Sequence, residues 1–163
     1  MRSEERDRLR QRFGYRCGYC GVSESEVGSE LTVDHYHPRS LDAADEPDNW
    51  VYCCFACNTY KSDTWAPDSE RRILHPLKDD LAQHTREGED GRLVGITETG
   101  RFHIAQLQLN RPPLVASRLA RREHLRLTQQ LAKALRRQEE LRRRVEALEQ
   151  TVAAAERRLR SLG

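Results

Sequence analysis

The strongest pattern in the chain lies at its C-terminal end. Leu127, Leu131, Ala134, Gln138, Leu141, Val145, Leu148, Val152, Ala155, Leu159 and Leu162 follow one another at alternating spacings of four and three, and only Gln138 is polar. A repeat of that kind, held over five heptads, predicts a long helix with a coiled-coil seam. Neither Pro nor Gly occurs between Val115 and Gly163, so the helix is expected over about Ser117 to Leu162, a span of roughly 70 Å. The alternative is a long helix folded back on the rest of the chain. The seam is flanked by Arg137, Arg142, Arg144, Glu149, Glu156 and Arg158. A parallel pair would set Arg144 beside Glu149 but Arg137 against Arg142. Association is therefore expected, as a homo-oligomer or with a protein partner, and the choice between them stays open.

Upstream the patterns are shorter. Residues 3–13 read as a helix with Ser3 as its cap, Glu4 and Glu5 at its positive end, and Leu9 and Phe13 on one face. Gly14 ends it. Leu31–Asp34 reads as a strand with Leu31 and Val33 on one side, and Pro38 opens a polar loop that runs through Asn49. Trp50–Cys53 is rich in β-formers and reads as the returning strand. Phe55 to Ser62 is expected to make one or two helical turns, which brings Cys57, Asn58 and Lys61 together. Ser62 to Ser69 reads as loop, and Leu77 to His84 as a short helix. After the turn signal Gly88–Gly91, residues 92–97 and 101–109 alternate apolar and polar positions about Gly100. They predict a β-hairpin, with Val94 and Ile96 sharing one face and Phe102 and Ile104 another. Pro112 and Pro113 are expected to end that unit. The expected architecture is α+β in three parts: a core over 1–66, a hairpin-containing extension over 67–114, and the C-terminal helix over 115–163.

Composition adds two constraints. Of 163 residues, 37% are hydrophobic and 33% charged, which is too polar for one compact ball and agrees with an elongated or partnered segment. The net charge of +2 hides an asymmetry: residues 1–114 hold 15 Lys and Arg against 20 Asp and Glu, while residues 115–163 hold 13 against 6. The basic end is the better match for a polyanion or an acidic partner. The N-terminus lacks the apolar run of a signal peptide, and no stretch is long and apolar enough to span a membrane, so a soluble, cytoplasmic protein is expected.

Four of the five cysteines form two pairs of identical spacing, Cys17–Cys20 and Cys54–Cys57. Two such knuckles without a secretion signal point to a closed, structural Zn²⁺ site of four thiolates. The small Gly18 and Gly21 allow the backbone to turn its amides toward sulfur. The alternatives are two unrelated buried pairs or a redox motif. Cys53 is expected to fill core as a strand residue.

Between the knuckles lies a set of groups suited to phosphodiester hydrolysis. That reaction needs an aligned water, a base to take its proton, and positive charge at the leaving oxygen. An imidazole, as a residue type, is suited to proton transfer near neutral pH, so His35 is the candidate general base. Asp34 is a hard oxygen ligand for Mg²⁺ or Mn²⁺, and Asn58 adds a neutral oxygen from the following helix. Two protein ligands leave room for waters and phosphate oxygens. His37 is a further candidate for nucleic-acid contact or a structural ring. Arg39 and Lys61 are phosphate-contact candidates or ordinary surface charges. His75, His84, His103 and His124 have no ligand spacing and read as structural or exposed.

Cys17, Cys20, Asp34, His35, Pro38, Arg39, Ser40, Asn49, Cys54, Cys57, Asn58 and Lys61 together resemble the HNH endonuclease family, across residues 13–63. The resemblance implies a ββα-metal core in which His35 activates water and Asp34 and Asn58 hold the divalent cation. It implies that Asn49 ties the loop through backbone hydrogen bonds and so orients His35, and that the products carry a 5′-phosphate and a 3′-hydroxyl. The segments around Leu74-His75-Pro76, Gly95-Ile96-Thr97, Gly100-Arg101 and Leu109-Asn110 resemble the tail of a compact bacterial subgroup. Where many relatives place a Gly-Gly after Pro-Arg-Ser, this chain runs Leu41-Asp42-Ala43-Ala44.

The expected activity is metal-dependent DNA cleavage in phage defence, restriction or mobile-element biology, alone or as the subunit of a complex. The competing expectation is a zinc-ribbon module that holds nucleic acid without cutting, or a coiled-coil adaptor. The arginines of the last helix (Arg121, Arg122, Arg136, Arg137, Arg142, Arg143 and Arg144) either grip phosphates or form a solvated helix surface.

Overall fold

The computed structural model describes residues 2–161, and the fold is α+β. Leu162 of the predicted seam lies outside the described residues, as does the side chain of Leu159. The chain divides into two compact units, the first running to Leu119 and the second beginning at Ala120. No helix among the described residues is long and apolar enough to cross a membrane.

Helix α1 covers Ser3–Arg12. Its N-cap is Arg2, not Ser3, because Glu5 reaches back and accepts from the Arg2 backbone N–H at 2.6 Å. A carboxylate three residues into the helix satisfies an orphan donor and meets the positive end of the dipole. Leu9 is buried and Phe13 packs against the same cluster, as their four-residue spacing predicts. Helix α2, Glu24–Val27, is a single turn that the sequence did not announce by periodicity. Ser23 and Glu26 form a capping box, and Glu24 accepts from both Arg10 and the Tyr52 hydroxyl, so α2 is tied to α1 and to the sheet.

Strands β1 (Thr32–His35) and β2 (Trp50–Cys53) pair antiparallel, with His35 opposite Trp50 and Asp34 opposite Val51. Every residue of β2 is buried, which fits its β-branched and aromatic composition. Cys53 is fully buried there, and burial pushes its thiol up, as suits a core thiol. Helix α3 follows over Phe55–Lys61. The zinc-knuckle turn meets this hairpin directly: the Gly18 N–H donates to the Tyr52 carbonyl at 2.8 Å. A Cβ on Gly18 would come within 2.6 Å of the Phe13 ring and 3.0 Å of Pro76, so only glycine fits.

The extension differs from its expected form. Helix α4 is confined to Leu81–His84. A hairpin is present, but it joins β3 (Thr85–Glu87) to β4 (Leu93–Gly95) around the turn Gly88–Gly91. The segment expected as its second arm is helix α5, Glu98–Gln106. Thr97 caps α5 by accepting from the Gly100 N–H at 3.0 Å, and this local bond outweighs the alternating pattern. Gly100 lies against the His84 carbonyl, where an added Cβ would sit at 1.9 Å. It is a close-approach glycine inside a helix, not a turn. Val94 and Ile96 are exposed and do not supply a core face. Leu107, Leu109 and Leu114 do, and they join the cluster around Trp50 and Leu9.

Helix α6 runs over Pro112–Arg160. Pro112 and Pro113 begin it instead of preceding it, since the first helical positions need no N–H donor. Arg118, in the first unit, is buried and donates to the Gly91 and Leu109 carbonyls. In the second unit Leu131, Leu141, Val145, Leu148 and Val152 of the stripe are all more than half exposed, between 51% and 65%. Several of its charges pair along the helix: Glu139 with Arg143, Glu140 with Arg144, and Arg142 with Glu146. Such exposed pairs each contribute only a few tenths of a kcal/mol.

Candidate functional site

Four sulfurs meet between the two knuckles. The ligand atoms of Cys17, Cys20, Cys54 and Cys57 all lie within 4.8 Å of one another, and three of the four residues are buried. A tetrahedral Zn²⁺ with bonds of about 2.3 Å separates its sulfurs by about 3.8 Å. The Cys20–Cys54 sulfur separation is 3.7 Å, so the donor set fits a structural zinc ion. The Cys20 amide lies 3.4 Å from the Cys17 sulfur, which is the turn of backbone toward thiolate that the knuckle sequence predicts. Zinc on four thiolates would carry a formal net charge of about −2, and a nearby guanidinium offsets part of it. The Arg111 guanidinium lies 3.5 Å from the Cys57 sulfur, 3.7 Å from Cys54 and 4.0 Å from Cys20. It also donates to the Leu107 carbonyl and sits 5.6 Å over the Tyr60 ring. Sequence reading missed Arg111, because nothing in spacing links it to cysteines more than fifty residues away.

The knuckles also deliver two donors to the acid on β1. Asp34 is buried, at 6% exposure, and its neighbour Val33 packs partly buried against the core. Its Oδ2 accepts from the Tyr19 hydroxyl at 2.6 Å and its Oδ1 from the Lys61 ammonium at 3.1 Å. Tyr19 sits inside the first cysteine pair, and Lys61 lies four residues after the last cysteine, one helical turn along α3. Lys61, expected at the surface as a phosphate contact, is instead fully buried, and its ammonium also reaches the His35 carbonyl at 3.0 Å. It packs inward because Asp34 gives it an ionic partner in the core. Burial raises the Tyr19 phenol well above its ordinary range, reinforced by the Asp34 charge, so it stays a donor.

His35 ends β1 and remains partly exposed. Its Nε2 lies 2.8 Å from Asp45 Oδ1, which also accepts from the Trp50 indole at 2.7 Å. The bonds from His35 first and Trp50 second hold the Asp45 carboxyl below its usual range. Asp45 is a second residue that the sequence did not single out. It is one of four acids between Asp42 and Asp48, and only the register of β1 against β2 brings this one to the ring.

Asp34, His35, Asn58, Arg39 and Ser40 line a single cleft of about 330 Å³. Arg39 is exposed at its mouth. Asn49 does not line this cleft. Its side-chain oxygen accepts from the His37 N–H at 2.7 Å, and its amide donates to the His37 and Ala44 carbonyls at 2.9 and 3.2 Å. The Asn49 carbonyl accepts from the Tyr36 N–H. The loop that follows His35 is thereby pinned to the residue just before β2. His37 does not line this cleft: its ring stacks on Trp65 with centroids 4.4 Å apart and borders a different hollow. The strand ends at His35, so strand alternation does not extend to His37. His75 and His103 are buried, and burial lowers both to about 4. The His103 Nδ1 accepts from the Leu74 N–H at 3.0 Å.

An antiparallel hairpin and a following helix, with a four-sulfur cluster that can hold zinc, define a small ββα unit. Comparison with known families agrees: residues 17–64 match the model described as HNH endonuclease. Comparisons with curated proteins and with solved structures return no match.

Proposed function

We propose that the protein is a divalent-metal-dependent endonuclease acting on DNA. One observation carries the proposal: His35, Asp34 and Asn58 line one cleft with Arg39. A module that only bound nucleic acid would not need an imidazole base beside two oxygen donors. His35 takes the proton of the attacking water, and Asp45 and the Asn49-pinned loop hold its ring in place. Asp34 and Asn58 would hold Mg²⁺ or Mn²⁺, which supplies a Lewis acid for the phosphate and the leaving oxygen. Arg39 contacts phosphate. The zinc site is structural, since four thiolates leave no open position.

The exposed stripe of α6 supports association through the second unit, with another copy or a partner protein. Phage defence or restriction in the cytoplasm is the setting proposed for such an enzyme. One observation favours the competing reading of a non-cleaving module: both oxygens of Asp34 already accept bonds, from Tyr19 and Lys61. Incubating the purified, zinc-loaded protein with plasmid and Mg²⁺ or Mn²⁺ separates the two. We expect cleavage that His35→Ala abolishes. Cleavage that survives His35→Ala would overturn the mechanism, and binding without any cleavage would establish the competing reading.

A further inference from the structure

The first unit is acidic, with 15 Lys and Arg against 20 Asp and Glu in residues 1–114. A phosphate backbone approaching its cleft therefore depends on local clusters of unneutralised cations. Most of the arginines near α1 are already spent on acids. Arg6 pairs with Glu30 at 3.2 Å, Arg10 with Glu24 and Glu30 at 2.9 Å, Arg16 with Glu26 at 3.5 Å, and Arg2 with Glu5 at 2.9 Å. Arg8 and Arg12 differ. They are four residues apart, on one face of the helix. Both are exposed. Among the described residues Arg8 makes no ion pair, and Arg12 reaches only Asp48, at 3.6 Å.

These two arginines line a groove of about 490 Å³ together with Leu9 of the same helix and with Pro47 and Trp50. Glu4 and Glu5 also line it, with Glu5 engaged by Arg2. The groove adjoins the candidate active site through the sheet. Trp50 is the cross-strand partner of His35, and residues directly opposite in an antiparallel pair place their side chains on the same face. The two rings converge on Asp45 Oδ1, at 2.8 Å from His35 and 2.7 Å from Trp50. The face that presents His35 thus continues past Asp45 and Trp50 to Arg8 and Arg12.

We propose that Arg8 and Arg12 form a nucleic-acid track that grips backbone phosphates flanking the bond held at His35. This rests on the nuclease reading of the neighbouring cleft. The contacts are to phosphate, so they strengthen binding without selecting sequence.

The test uses the full-length, zinc-loaded protein and a fluorescein-labelled 30-base-pair duplex, with its single strand as a second probe. Anisotropy titrations over a range of salt compare the unaltered chain, the double variant Arg8→Gln/Arg12→Gln, and Arg101→Gln, whose arginine is exposed, paired with Glu98 and outside the groove. We expect the double variant to weaken binding about tenfold and to lower the slope of log affinity against log salt by about two. Arg101→Gln leaves both values unchanged. An unaltered slope in the double variant, with binding by the unaltered chain intact, overturns the track. Salt-dependent binding without cleavage defeats the nuclease reading while the slope still decides the track. Absence of binding to either probe defeats both. Should circular dichroism show that the double variant misfolds, Arg8→Gln alone carries the test, with an expected slope change of about one.

Discussion

Tyr19 donates its phenolic proton to Asp34 Oδ2 at 2.6 Å across 15 residues of sequence, from inside the first cysteine pair to the acid beside His35. The sulfur cluster and the candidate metal-binding acid are therefore mechanically linked. Lys61 completes the link from the other knuckle, at 3.1 Å from Oδ1. Removing one donor to a buried carboxylate leaves that charge short of a partner. Tyr19→Phe is expected to cost about 1.5–3 kcal/mol, and Lys61→Met about 3–5 kcal/mol. Urea unfolding of the zinc-loaded proteins measures both. The double variant should depart from additivity by more than about 0.5 kcal/mol, since the two share Asp34; additive losses would show that they act independently.

Arg111 faces three of the four sulfurs and offsets part of their negative charge. Partners of this kind in the outer shell of a metal typically change affinity by about 10–100-fold. Arg111→Ala should therefore release zinc to a chromogenic chelator at least about tenfold faster, with Arg111→Lys intermediate because it keeps the charge but loses the planar fork. Equal release rates in all three proteins would remove Arg111 from the metal site.

His103 is buried with its Nδ1 accepting from Leu74, and burial holds it to about 4. Because the unfolded chain protonates near 6.5, it binds the proton more readily than the folded one between those values. The stability this neutral ring contributes is complete above about pH 6.5 and is lost as pH falls toward 4. We expect the stability difference between the native protein and His103→Gln to narrow from pH 7 to pH 5. A difference that stays constant would mean the ring titrates normally in the fold.

The second unit carries an apolar stripe with Leu131 61% and Leu148 65% exposed. If it is a seam, Leu141→Asp/Leu148→Asp should abolish self-association or partner binding while leaving the first unit folded, as read by light scattering and circular dichroism. An unchanged mass for an associating native protein would place the interface elsewhere.

The sequence by itself determined the parts whose signal is local or periodic. Paired cysteines at identical spacing specified the sulfur cluster. The β-rich run Trp50–Cys53 specified β2, and a sustained four-three repeat without Pro or Gly specified the long helix. Short apolar runs carry weaker information, because a few alternating residues suit a strand or a helix equally. The stretch beginning at Glu98 became α5 once Thr97 capped it and Gly100 allowed contact with His84.

Only the tertiary structure decided which charges meet. Lys61 looked like a surface cation until α3 turned it toward Asp34. Asp45 was one acid among several until the β1–β2 register brought it to His35. Arg111, which follows α5 in the chain, meets sulfurs of both knuckles. Electrostatic partners act through space and leave no period in the chain. Their identity therefore follows from packing, while the elements that carry them follow from pattern.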